Sequence, residues 1–205
     1  MNKTAIKTPS TAEVNKYIKR WDTLENYVLQ ENALDKLFFE VCASNDDINN
    51  ILIKCSALND FYSTNIFSIF TVAKHILTLN IDKRLKTGDL SLVDDIANVS
   101  INGKPKYFYS FASKYCSHHN PKMFAIYDSY VEKCLVYFNK CDQFSDFKKR
   151  DLKNYSVFTK VLLDFKAFYR LDNYSLKEID KYLWQLGKEF FPNEYGRRRE
   201  SDDNK

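Results

Sequence analysis

The stretch Tyr107–Val131, YFYSFASKYCSHHNPKMFAIYDSYV, concentrates residue types that do chemistry. It brings together Lys114, Asp128, the adjacent His118 and His119, and the small residues Ser110, Ala112 and Ser113, all among aromatics. The small residues fall at the start of a helix, where outward-pointing backbone N–H groups can seat a phosphate. Asn120 and Pro121 break that helix, and Asp128 opens the next. A carboxylate at a helix N-terminus stays ionised, because the dipole and free N–H groups favour its charge. Burial among aromatics lowers the pKa of a lysine amine, and a nearby aspartate raises it. Plainer roles exist for both residues: Asp128 as an N-cap and Lys114 as a solvated helix lysine. Cys116, His118 and His119 do not make a zinc site, which needs two close ligand pairs. Cys134 and Cys141 are a helix and a loop apart, so no metal is expected. His118 and His119 are read as lining a groove or capping the helix C-terminus.

The segment resembles the signature of the helix–hairpin–helix DNA glycosylase superfamily, which includes oxoguanine DNA glycosylases and endonuclease III. In that signature a hairpin Gly-Val-Gly-x-Lys leads into a helix, and a loop with Pro or Val precedes an Asp that starts another. Ser110-Phe111-Ala112-Ser113-Lys114 takes the hairpin and lysine positions, and Ala125-Ile126-Tyr127-Asp128 takes the loop and aspartate positions. The hairpin glycines are replaced, and no iron–sulfur cysteine cluster follows, so the resemblance implies no cofactor. It implies Lys114 as the amine nucleophile and Asp128 as the essential carboxylate. It also implies a DNA partner, with Ser110, Phe111, Ala112, Ser113, His118 and His119 among the contacts. Tyr107, Phe111 and Tyr127 would stack on a base flipped out of the duplex.

The spacing allows the two groups to meet. A helix from Lys114 to His119 advances about 7–8 Å. The loop over 120–127 spans up to about 26 Å when extended. The chain can therefore bring Asp128 back to Lys114.

The elements that must position this pair are helical throughout. Ser10 and Glu13 form a capping box, followed by Val14, Tyr17, Ile18, Trp21, Leu24 and Val28 on one face of a helix. Leu34, Leu37, Phe38 and Val41 mark a second helix. Ser44 with Asp47 starts a third, with Ile48, Ile51, Leu52, Cys55 and Leu58 inward. The segment Thr64–Leu79 is apolar on most sides, which predicts a central buried helix. The turn Asn59–Thr64 ahead of it could face the cleft, or serve as a simple interhelical loop. Residues 82–89 read as a charged connector, Leu90–Ile96 as a short helix and 98–106 as a loop. Helices follow over 107–119, 128–139 and 155–170, and a long one opens with the Ser175/Glu178 capping box. The expectation is an all-α compact domain of about eight to ten helices over residues 1–192, helix–hairpin–helix glycosylase-like if the resemblance holds. Two interleaved lobes with a cleft are the alternative arrangement. Residues 193–205 read as a flexible polar tail.

Composition narrows the function classes. The chain has 205 residues, 44% hydrophobic and 16% aromatic, so it can bury a substantial core. With 4 Gly and 4 Pro it is not a turn-dense β-sandwich. The net charge of +4 permits nucleic-acid binding without demanding it. Five cysteines with no CxxC pair, and no apolar leader at Met1–Ser10, read as reduced thiols in a cytoplasmic protein. No run approaches the ~20 apolar residues of a membrane span, and a monomer is expected. A third class, a nucleotide hydrolase, lacks support, since the sequence holds neither GxxxxGK[ST] nor HExxH. Two readings remain. One is a glycosylase, with or without abasic-site lyase activity, acting on damaged or modified bases in repair or in defence against foreign DNA. The other is a non-catalytic helical module that binds nucleic acid or protein.

Overall fold

A computed structural model describes residues 5–192, so the expected polar tail 193–205 lies outside the described residues. The fold is all-α. In chain order the helices are α1 (Thr11–Trp21), α2 (Glu25–Lys36), α3 (Ile48–Phe61), α4 (Ile69–Leu79), α5 (Asp82–Thr87) and α6 (Leu92–Ala97). After them come α7 (Tyr109–His119), α8 (Ser129–Asp142), α9 (Tyr155–Phe168) and α10 (Leu176–Phe190). Among the described residues the only sheet is the hairpin β1 (Asn98–Ile101) with β2 (Lys104–Tyr107). One buried core runs from Val14 to Leu186. No described helix is long and apolar enough to cross a membrane.

Several sequence expectations are corrected, each for a local reason. The first helix ends at Trp21, because Thr23 Oγ1 donates to Arg20 O at 2.7 Å and the chain turns before α2. Val28 therefore belongs to α2, and Trp21 meets Tyr27 with ring centroids 5.7 Å apart. Beyond α2 the chain widens into a π-helical turn, Leu37–Val41, which leaves Val41 exposed. The third helix is capped by Asp47, which accepts from Asn49 N at 2.7 Å. Ser44 instead donates to Asp46. The connector at 82–89 is α5, ended by Gly88 with φ +68°. The loop expected at 98–106 is a hairpin whose turn, Asn102-Gly103, holds φ 51° and 73°. An Asn-Gly pair is suited to that twist.

The helix expected to be central is not. α4 buries Val72, Ala73 and Ile76 but exposes Phe70, and Phe67 ahead of it points into water. The central helix is α7, where nine of eleven residues are buried, Ser113, Lys114, Ser117 and His118 among them. A buried polar group costs free energy unless it is hydrogen-bonded. The polar residues of α7 are therefore the ones whose partners matter.

Candidate active site

The partners of those residues explain how the loop between α7 and α8 is held. Ser113 Oγ accepts from Tyr127 N at 3.0 Å and donates to Ser110 O at 3.0 Å. Ser110 Oγ donates to Tyr127 O at 3.2 Å. Farther back, Tyr155 Oη donates to Ala125 O at 2.7 Å. These bonds lay the apolar run Phe124–Tyr127 against α7 and α9 and bring Asp128 to the start of α8. Its Oδ1 accepts from Tyr130 N at 2.8 Å as the N-cap. Its Oδ2 lies 3.8 Å from Lys114 Nζ.

Lys114 is 3% exposed. Its Nζ donates to Ser110 Oγ at 2.6 Å and Tyr127 O at 3.3 Å, and lies 5.1 Å from the centre of the Tyr62 ring. Burial pulls its pKa below the ordinary lysine value, opposed by the charges of Asp128 and Asp180. Asp180, on α10, lines the same cleft, and its Oδ1 is buried without a hydrogen-bond partner. Burial first, and Asp128 second, push its carboxyl up to about 7, while Lys114 acts in the opposite direction. Desolvation therefore favours the neutral amine and the neutral acid at this floor.

The floor belongs to a cleft of about 900 Å³ walled by α2, the α3–α4 loop, the β2–α7 junction, the start of α8 and α10. That is room for a nucleotide-sized ligand. One wall is a stripe on α10 at helical spacing: Lys177, Asp180, Lys181, Trp184 and Lys188. Trp184 packs edge-on against Trp21 and Tyr27, with centroids 5.8 and 5.0 Å apart. Lys188 lies 4.4 Å over the Trp184 ring. Glu31 holds Lys177 and Lys181 at 2.9 and 2.7 Å. The cleft thus mixes five lysines with four carboxylates and is not uniformly positive.

The other residues singled out in the sequence divide around the cleft. The five residues Ser110–Lys114 lie inside α7, not in a turn ahead of it. Ala112 and Ser113 are fully buried, the Ala112 N–H donates to Phe108 O at 2.9 Å, and the Ser110 and Ser113 hydroxyls are taken up by Tyr127 of the protein's own loop. The phosphate seat and hairpin expected there are therefore not formed by these residues. Phe111 is buried yet lines the cleft. Tyr107 lines the rim, stacked on Tyr109 at 5.7 Å, and donates to Asp94 at 2.6 Å. Tyr127 is buried, and its hydroxyl bonds Glu132 and Lys153. His118 lies behind the Tyr62 ring, bonded to its hydroxyl at 2.9 Å, and burial pulls its pKa down to about 3. His119 turns to another depression, beside Asn45 and the buried Lys54. The two histidines thus leave α7 in different directions, and Cys116 is sealed in the core.

Sequence reasoning missed Asp180, Trp21 and the α10 stripe as parts of the cleft, whereas the turn Asn59–Thr64, expected either to face the cleft or to be a simple loop, supplies Tyr62, Ser63 and Thr64 to its wall. The signal was present as helical spacing of cations and aromatics on α10. Such a stripe is the ordinary look of a solvated face, and only tertiary packing turns it into a wall.

The family HI_0787_N, described as an N-terminal domain, matches residues 13–123. The matched span contains Lys114 and stops before Asp128 and Asp180. A protein of Haemophilus influenzae, described as an uncharacterized protein, is 55% identical over 170 residues, covering 82% of this chain and 77% of its own. No solved structure matches the chain. With more than half its length matched, the chain belongs to the HI_0787_N family.

Proposed function

We propose that the protein is a DNA glycosylase with abasic-site lyase activity that draws a damaged or modified nucleotide into the cleft. One observation carries the reading: a desolvated amine, Lys114, and a fixed carboxylate, Asp128, stand 3.8 Å apart at the floor of a cleft large enough for a nucleotide.

The chemistry follows from the charges. A base inside a duplex is out of reach, so the nucleotide must be extruded at a cost of a few kcal/mol. As the glycosidic bond stretches, positive charge grows at the sugar C1′, and the Asp128 carboxylate stabilises it. The Nζ lone pair of Lys114 forms a bond to C1′ while the C1′–base bond breaks. The bonding pair leaves with the base, which takes up a proton. The new secondary ammonium loses a proton and the sugar ring opens to a Schiff base, from which the strand is cleaved. Burial supports this role, because only the neutral amine has a lone pair to donate.

The test uses duplexes carrying candidate modified bases and an abasic-site duplex treated with borohydride. Wild type is expected to release a base and to form a covalent adduct. Lys114→Ala is expected to lose the adduct, and Asp128→Asn, which can still cap α8, to lose base release by at least about a hundredfold. Salt-dependent DNA binding with neither activity would overturn the reading and return a non-catalytic binding module.

A further inference from the structure

Lys114 lines the floor of the cleft, yet its side chain is almost wholly covered. A nucleophile needs its target carbon within about 3–3.5 Å, so part of that cover has to move. Three neighbours close the amine in. Ser110, one turn earlier on the same helix, accepts from Nζ at 2.6 Å. The loop that carries Tyr127 and Asp128 is pinned by the hydroxyls of Ser110, Ser113 and Tyr155. The third neighbour is the Tyr62 ring, whose centre lies 5.1 Å from Nζ. A sugar carbon seated between amine and ring needs roughly 7 Å, because it also stops about 3.5–4 Å from the ring carbons. With Ser110 and the loop fixed, ring and sugar compete for one place.

Tyr62 is the movable member of the three. Its backbone is anchored at the end of α3, where its N–H donates to Leu58 O at 3.1 Å. Its side chain is 36% exposed and can leave by rotation about χ1. One side-chain bond opposes that rotation: Tyr62 Oη lies 2.9 Å from His118 Nε2. The other ring nitrogen of His118, Nδ1, faces the Asp35 carboxylate at 3.9 Å. That carboxylate favours the proton on Nδ1, so Nε2 accepts from the tyrosine hydroxyl. Burial keeps His118 neutral and Tyr62 protonated, so the bond persists at neutral pH.

We propose that Tyr62 is a gate latched by His118, which shields Lys114 in the free protein and swings aside when a nucleotide enters the cleft. The identity of the ligand that opens it rests on the glycosylase reading. A desolvated neutral amine condenses with any small aldehyde that reaches it, so a cover preserves Lys114 between turnovers. The nucleotide opens the gate through contacts that it makes only with the open form.

The test reads the amine without DNA. The full chain is treated with formaldehyde and cyanoborohydride, and methylation of Lys114 is followed by mass mapping. Lys160, which is exposed, and Lys54, which is sealed in the core, serve as references. In wild type, Lys114 is expected to react at least about tenfold more slowly than Lys160. Tyr62→Phe keeps the ring and loses the latch, and is expected to speed Lys114 about fivefold, the worth of one neutral hydrogen bond. Tyr62→Ala is expected to speed it further, with Lys54 and Lys160 unchanged. Wild-type Lys114 that reacts as fast as Lys160 would overturn the gate, as would variants that leave Lys114 unchanged or speed Lys54 equally. The same proteins are then trapped with borohydride on an abasic-site duplex. Tyr62→Phe is expected to trap no more slowly than wild type, and slower trapping would overturn the gate. A wild type that shows the labelling pattern but never traps would sink the lyase reading while leaving the gate.

Discussion

Replacing Asp180 by asparagine isolates the cost of one ionisable group at the cleft floor. Asp180 faces Lys114 and Asp128 with one oxygen sealed and unpartnered, and burial and Asp128 raise its carboxyl from 3.8 to about 7. The folded chain thus holds this proton more tightly than the unfolded chain. Its contribution to stability is intact below pH ~4, declines as pH rises through ~7, and stays low above that. Between pH 5 and pH 8 the interval of about two pH units corresponds to ~3 kcal/mol at 1.36 kcal/mol per unit. The side chain is partly accessible, so about 2 kcal/mol is expected. Asparagine keeps the shape and removes the titration. Urea unfolding of both proteins at pH 5, 6, 7 and 8 is the assay. Wild type is expected to lose about 2 kcal/mol more than Asp180→Asn across that range. Parallel curves, agreeing within ~0.5 kcal/mol, would refute the arrangement of one amine and two carboxylates in a desolvated floor.

Gly187→Ala is expected to lower stability by about 1–2 kcal/mol in the same assay. A Cβ there would lie 2.6 Å from Tyr130 Cβ and 2.8 Å from its backbone oxygen, and this overpacking outweighs the ~1 kcal/mol gain in helix propensity. Asp128→Ala is expected to cost about 1 kcal/mol through loss of the α8 cap, visible as a lower urea midpoint. Lys188→Ala, on the α10 stripe, is expected to weaken duplex binding and reduce the slope of log K against log salt by about 0.9, measured by fluorescence anisotropy.

The sequence disclosed the helical class and most helix starts, because capping residues and apolar spacing are local. Ser10, Asp128 and Ser175 each cap the helix expected of them. It also named the amine and the carboxylate that the fold brings together, since a 14-residue return needs only a broken helix and a loop. Two features stayed hidden for one reason. Hydropathy ranks α4 as most buried, yet α7 is the axis, because the polar groups of α7 find partners in the loop over 120–128 and in α3. Ser110 and Ser113 read as a seat for a ligand's phosphate, and they instead bind the chain's own Tyr127. Asp180 and Tyr62 come to the site from distant parts of the chain, through packing of α10 and of the α3–α4 loop. No spacing within 107–131 encodes that approach. The split at Thr23 is likewise a turn of one hydroxyl bond inside an unbroken apolar pattern.

The central claim is that the Lys114 nitrogen bonds to the sugar. Mass mapping of peptides after borohydride reduction of the protein with abasic-site DNA reads this directly. The expected result is a sugar remnant on the peptide carrying Lys114 and on no other lysine. An adduct on Lys153, Lys177 or Lys181 with Lys114 unmodified would contradict it.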